Sequence, residues 1–136
     1  MICFIDSDMV LVNDFKNEKE YFRRNLKSKL KKHGLDVVPF IYEPSSEINK
    51  DGVPSAKGTY INYLHVGNKI ILPTFNKKED NMAWIQLNEI YPSHEIETLN
   101  CESIASEGGV LNCIGWNVEY WKLILEDFGD FWLVKN

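Results

Sequence analysis

The chain has 136 residues, of which 44% are hydrophobic and 26% are charged, a composition that predicts one globular domain spanning residues 1–136. Its net charge of −5 argues against a nucleic-acid partner, because phosphate binding needs a positively charged surface. No apolar segment is long enough to span a bilayer and no charged region precedes the apolar start, so we expect a cytoplasmic protein without a membrane partner.

The first part of the chain predicts two strands, a helix and a third strand. Residues 1–6 and 9–15 are mainly apolar and are separated by the turn residues Ser7 and Asp8, which indicates a β-hairpin. Residues 36–42 form a second apolar run and are the predicted third strand. The helix between them is predicted from apolar residues at every fourth position and a glycine stop: Phe22, Leu26, Leu30 and Gly34.

The same order of elements recurs in the second part of the chain. Residues 60–65 and 69–75 predict a hairpin, because Val66, Gly67 and Asn68 between them supply a tight turn. A closing strand is predicted at residues 95–99, after a helix marked by Ala83, Leu87 and Ile90. The sequence thus contains two modules, about 1–43 and 58–100, and the polar segment between them, 43–57, is a candidate binding loop.

A third module appears only in part. Gly108 and Gly109 lead into an apolar run at residues 110–114, which we interpret as a short strand of a partial module at 107–117. The remaining tail, 118–136, is either a closing helix and strand or a docking segment, and it is rich in aromatic residues: Tyr120, Trp121, Phe128, Phe131 and Trp132. Repeated modules bury their apolar faces against their neighbours. Because this chain has only two modules and part of a third, we expect it to self-associate into a homo-oligomer.

The cysteines and histidines predict neither a metal site nor a disulfide framework. The three cysteines, Cys3, Cys101 and Cys113, show no paired spacing. The three histidines lie far from them in sequence and are interpreted as a surface hairpin residue and two structural or exposed residues: His65, His33 and His94. A cofactor is not predicted.

Three segments follow one another in an order that resembles a known family. They are Gly-Thr-Tyr-Ile-Asn-Tyr at 58–63, Ile-Ile-Leu-Pro-Thr-Phe at 70–75 and Glu-Gly-Gly-Val-Leu-Asn-Cys at 107–113. This part of the chain, roughly residues 1–117, resembles the C-terminal part of agmatine deiminases and bacterial, Porphyromonas-type peptidylarginine deiminases. The resemblance implies an α/β fold, a partial α/β propeller of the pentein type built from strand-strand-helix-strand modules.

The resemblance also implies which residues carry chemistry. It makes Cys113 the nucleophile and places Asn62, Gly108 and Gly109 in the substrate site, with no metal and no cofactor. A guanidinium carbon is a weak electrophile, so its hydrolysis suits a thiolate that forms a covalent intermediate and releases ammonia. The implied substrate is a guanidino small molecule or an arginine peptide, and agmatine, free arginine and peptidyl-arginine remain open.

Two departures from the family pattern affect the expected function. The His-x-Asp motif that normally supplies the acid and base should just precede residues 1–6 and is absent, and Asn112 stands where a histidine is common. The sequence therefore predicts a hydrolase fragment that is inactive alone, either a truncated enzyme or one half of a split enzyme whose complementing N-terminal chain supplies the motif. The alternative is a non-catalytic binding or scaffold module derived from the same fold.

Overall fold

The computed structural model describes residues 1–115, in which two three-stranded sheets follow one another. The first unit contains β1 (Ile2–Phe4), β2 (Met9–Asn13), α1 (Glu20–Lys32) and β3 (Asp36–Phe40). The second contains β4 (Leu64–Val66), β5 (Lys69–Thr74), α2 (Glu79–Ile90) and β6 (Glu95–Asn100). Two short helices follow, α3 (Glu102–Ala105) and α4 (Leu111–Ile114). The predicted α/β class and the order strand, strand, helix, strand are confirmed in both units.

Both sheets have the same topology, with the second strand of each unit at the centre. β1 pairs with β2 in antiparallel fashion, and β2 pairs with β3 in parallel fashion after the crossover through α1. β4, β5 and β6 repeat this arrangement. The first hairpin turn is closed by Asp6, whose Oδ1 accepts hydrogen bonds from the backbone N–H of Asp8 at 3.1 Å and of Met9 at 2.8 Å. Closure of such sheets into a propeller stays a prediction.

One apolar core joins the two sheets. The fully buried side chains of the second unit, among them Tyr60, Leu72 and Leu87, form its centre. The first unit contributes Leu11 and Phe40. Helix α1 has no buried residue, whereas α2 buries two of the three predicted residues, Ala83 and Leu87. In residues 1–115 no helix is both long and apolar enough to cross a membrane.

Two predicted strand segments are wrong. Residues 60–63, which carry Asn62, form a turn before β4, and all four side chains are buried, so the segment lacks the alternation of a strand. Residues 111–114 form α4 because their backbone groups are satisfied locally: Gly115 N–H donates to the carbonyl of Leu111 at 2.8 Å. The predicted tail, 118–136, lies outside the described residues, and the division into modules and tail stays a prediction.

A chain of polar side chains links the two sheets. Cys3 Sγ lies 3.4 Å from Tyr63 Oη, which lies 2.9 Å from Tyr91 Oη. Burial is the main cause that raises the pKa of Tyr63 and Tyr91, and the hydrogen bond with Cys3 raises that of Tyr63 further. The neutral form of each phenol is therefore favoured over the phenolate more strongly in the folded state than in the unfolded chain.

Stability should consequently depend on pH at the alkaline end. Because the folded pKa values lie above the unfolded value of about 10, the contribution of the phenols is complete below about pH 10 and is lost above it. The buried Cys101 thiol, whose pKa is also raised, adds a decline that begins at about pH 8.5, so we expect the fall of the urea midpoint to steepen beyond about pH 10, where the phenols contribute. Tyr63→Phe, which cannot ionise, should show a shallower fall, and an unchanged slope would contradict this assignment.

Candidate active site

The thiol of Cys113 is exposed and lies in the last turn of the described chain. Cys113 is the third residue of α4, and the helix is anchored by Val110 and Leu111, whose side chains are buried. Cys113 N–H donates to the carbonyl of Val110 at 3.1 Å. The buried neighbours hold the backbone, while Cys113 itself is an exposed residue, as a nucleophile that must be reached by substrate requires.

Asn62 contacts the Cys113 sulfur and is itself almost completely buried. Its Nδ2 donates to Cys113 Sγ at 3.1 Å, and its backbone carbonyl accepts from the N–H of Asn112 at 3.4 Å. The Asn62 side chain is 1% exposed, and its Oδ1 has no donor among residues 1–115. A buried carbonyl oxygen without a donor is unfavourable, so an N–H group that reached this oxygen would form a stabilising bond.

The two glycines have different neighbours. A Cβ on Gly109 would lie 3.5 Å from Cys113 Cβ, so Gly109 is adjacent to the thiol-bearing residue. A Cβ on Gly108 would lie 2.5 Å from Val53 Cγ1, and Gly108 has a φ of +86°. Gly108 therefore makes a tight turn against the loop at 43–57, and Gly109 borders the site.

The other cysteines and the histidines have different surroundings. Cys101 is buried, and burial raises the pKa of its thiol, as expected for a structural residue. The rings of His65 and His94 lie 4.9 Å apart, and that of Tyr91 is 5.3 Å from His65. His33 caps the C-terminal end of α1. Within residues 1–115 the hydrogen-bond partner of Cys113 Sγ is the Asn62 amide.

Sequence reasoning missed the residues that hold the turn in front of Cys113. Asn49 Nδ2 donates to Glu107 Oε2 at 3.2 Å, and Ala56 N–H donates to the carbonyl of Ala105 at 2.8 Å. The only sequence signal for them was the polar composition of the loop at 43–57, with Asn49 three residues before Gly52.

Comparison with known proteins identifies one family over most of the chain. The family model of the Porphyromonas-type peptidyl-arginine deiminases matches residues 1–118. A Mycoplasma mycoides protein named "Putative agmatine deiminase" is 43% identical over 56 residues, which are 41% of this chain and 15% of that protein.

Two solved structures share the fold. The agmatine deiminase of C. jejuni superposes with a TM-score of 0.62 at 23% identity, over 83% of this chain and 36% of its own. The "Putative Arginine Deiminase" of Porphyromonas gingivalis gives a TM-score of 0.64 at 16% identity, over 83% of this chain and 35% of its own. The present chain thus spans only about a third of these structures.

Proposed function

Because the chain belongs to the Porphyromonas-type peptidyl-arginine deiminase family, we propose that it forms the nucleophile-bearing part of a guanidino-group hydrolase. The observation that supports this most strongly is the exposed Cys113 thiol beside a buried amide with a free acceptor oxygen. The substrate class is agmatine or an arginine side chain, in keeping with the names of the relatives.

The proposed reaction begins with attack of the Cys113 thiolate on the guanidinium carbon. A carbon–sulfur bond forms, a proton donor protonates one terminal nitrogen, and the carbon–nitrogen bond breaks to release ammonia. Water then adds to the amidino-thioether, gives up a proton to a base, and the carbon–sulfur bond breaks to return the thiolate and a ureido product.

Asn62 has two roles in this scheme. Its Nδ2–H group donates to the sulfur and holds it in place for attack. Its Oδ1 accepts a hydrogen bond from a guanidinium N–H and orients the carbon toward the sulfur. Gly109 leaves room for the substrate beside Cys113, and Gly108 shapes the turn.

The general acid and base come from outside the described residues in our proposal. Within residues 1–115 the sulfur has an amide as its hydrogen-bond partner, and the chain spans about a third of the related solved structures. We propose that the acid–base groups lie outside residues 1–115, in the part of the fold that the related structures contain in addition. By itself the 136-residue chain should bind a guanidinium group without turning it over.

The test is the alkylation of Cys113 by 2-chloroacetamidine, whose amidinium group resembles a guanidinium, compared with iodoacetamide. Amidine labelling should saturate with concentration and map to Cys113, while iodoacetamide labelling should rise linearly. Cys113→Ala removes the labelled peptide and serves as the control. Linear labelling by both reagents would mean that this chain has no guanidinium site and would favour a non-catalytic binding or scaffold module.

A further inference from the structure

The loop between the two sheets, residues 43–57, folds onto the turn that leads to Cys113. We call it the inter-sheet loop. Near its C-terminal end, Ala56 N–H donates to the carbonyl of Ala105 at 2.8 Å, and Ser55 Oγ donates to the same carbonyl at 3.4 Å. The loop is therefore bonded to the end of α3, directly before the turn at residues 106–109.

Asn49 organises the tip of the inter-sheet loop. Its Oδ1 accepts hydrogen bonds from the N–H groups of Asp51 at 3.0 Å and Val53 at 2.9 Å. Its backbone N–H donates to the carbonyl of Val53 at 2.9 Å, and its carbonyl accepts from Gly52 N–H at 3.0 Å. These four bonds make a closed turn in which the Asn49 side chain replaces a backbone acceptor.

The same side chain also reaches the turn before Cys113. Asn49 Nδ2 donates to Glu107 Oε2 at 3.2 Å. Val53, which the Asn49 turn holds in place, lies against Gly108, where an added Cβ would come within 2.5 Å of its Cγ1. Asn49 thus fixes both Glu107 and the side chain that packs on Gly108.

The turn at 106–109 needs such support. Glu107 and Gly108 are exposed, and consecutive glycines at 108 and 109 lose more conformational freedom on ordering than other residues do. The C-terminal end of the turn is anchored by the buried Val110, whereas its N-terminal end is held by the inter-sheet loop. A shift of Gly109 would move Cys113, because Cys113 lies in the helix that begins two residues later and its Cβ is 3.5 Å from where a Cβ on Gly109 would lie.

We propose that Asn49 is a positioning residue for Cys113: through Glu107 and Val53 it holds the glycine turn that sets the distance between Cys113 and Asn62. The inference rests on the proposed role of Cys113 as the nucleophile. It assigns to the inter-sheet loop a part in the reaction that does not require contact with the substrate.

The test first removes the donor of the Asn49–Glu107 bond and then restores the bond with donor and acceptor exchanged. Asn49→Asp keeps an acceptor for the Asp51 and Val53 N–H groups but faces Glu107 with a second carboxylate. The bond is lost, and the Asn62–Cys113 contact weakens with it. We expect iodoacetamide to alkylate Cys113 about tenfold more slowly at a fixed pH, because the charge-assisted hydrogen bond from the Asn62 amide to the attacking sulfur is weakened.

The rescue variant combines Asn49→Asp with Glu107→Gln. A glutamine amide at position 107 can donate to the aspartate at 49, so the bond returns with its polarity reversed. Cys113 of the double variant should be alkylated within about twofold of the wild-type rate. Glu107→Gln alone keeps an acceptor for Asn49 Nδ2, so its Cys113 should also be alkylated within about twofold of that rate. A wild-type rate for Asn49→Asp, or no recovery in the double variant, would overturn the proposal.

Two controls separate this result from unfolding and from the proposed function. Cys101 is buried, so its protection from the same reagent reports that the fold is intact. If Asn49→Asp exposes Cys101, the variant Glu107→Ala, which changes an exposed position, is used in its place. We expect the same slowed alkylation of Cys113 in Glu107→Ala, and a wild-type rate would be the contrary result. Iodoacetamide carries no amidinium group, so the outcome is independent of whether the chain binds guanidinium ligands.

Discussion

Gly58→Ala should lower the free energy of unfolding by about 3 kcal/mol or more, a large share of the 5–15 kcal/mol typical of a domain. Gly58 has a φ of +82°, and an added Cβ would lie 1.9 Å from the carbonyl oxygen of Glu43. That carbonyl is held by Lys77 Nζ at 2.8 Å. The backbone would have to move, and it leads within four residues to Asn62.

Gly52→Ala is the matched control. Gly52 has nearly the same φ, +80°, but nothing lies within 4 Å of an added Cβ. It should therefore show only the conformational penalty of a left-handed residue, about 1–2 kcal/mol. Urea unfolding followed by tryptophan fluorescence measures both variants. Equal losses would mean that the contact with Glu43 relaxes without a penalty.

Asn62→Leu should abolish saturable amidine labelling of Cys113 while leaving the fold as stable as before. The substitution keeps the branching of the side chain but removes the Nδ2 donor to Cys113 Sγ. It also removes the buried acceptor Oδ1, which has no donor among residues 1–115. Removing an unsatisfied buried acceptor relieves its desolvation penalty, so we expect the free energy of unfolding to stay equal or rise by about 1 kcal/mol. Labelling by chloroacetamidine and urea unfolding are measured on the same sample.

Asn13 provides the comparison for that variant. It lies on β2 and is 5% exposed, and its Oδ1 likewise has no donor among residues 1–115. Asn13→Leu should affect stability in the same direction and leave amidine labelling unchanged. If Asn62→Leu still labels saturably, Asn62 has no part in a guanidinium site, and the proposed role of its Oδ1 is wrong.

Local patterns were sufficient to predict most of the secondary structure. The turn residues Ser7 and Asp8 and the fourfold spacing of Ala83 and Leu87 act between near neighbours, so they identify a hairpin and a helix without knowledge of the rest. The run at 110–114 failed because a short apolar segment fits a strand or a buried helix equally well.

The site could be predicted only through resemblance. The Cys113 sulfur and the Asn62 amide meet across 51 positions of sequence, and Asn49 and Glu107 meet across 58. No periodicity or spacing rule connects residues so far apart, because their contact depends on how the sheets and the inter-sheet loop pack. The resemblance indicated Cys113 and Asn62 but gave no indication of Asn49.

These long separations bear on the order in which the chain folds. Each hairpin closes across a few residues, whereas the Asn62–Cys113 contact closes a loop of 51 and has a correspondingly larger entropic penalty. We infer that both sheets form first and that the turn at 106–109 docks last. We expect this segment to open locally at a lower free energy than the sheets, so a ligand held by Asn62 and Cys113 would slow amide hydrogen exchange in it.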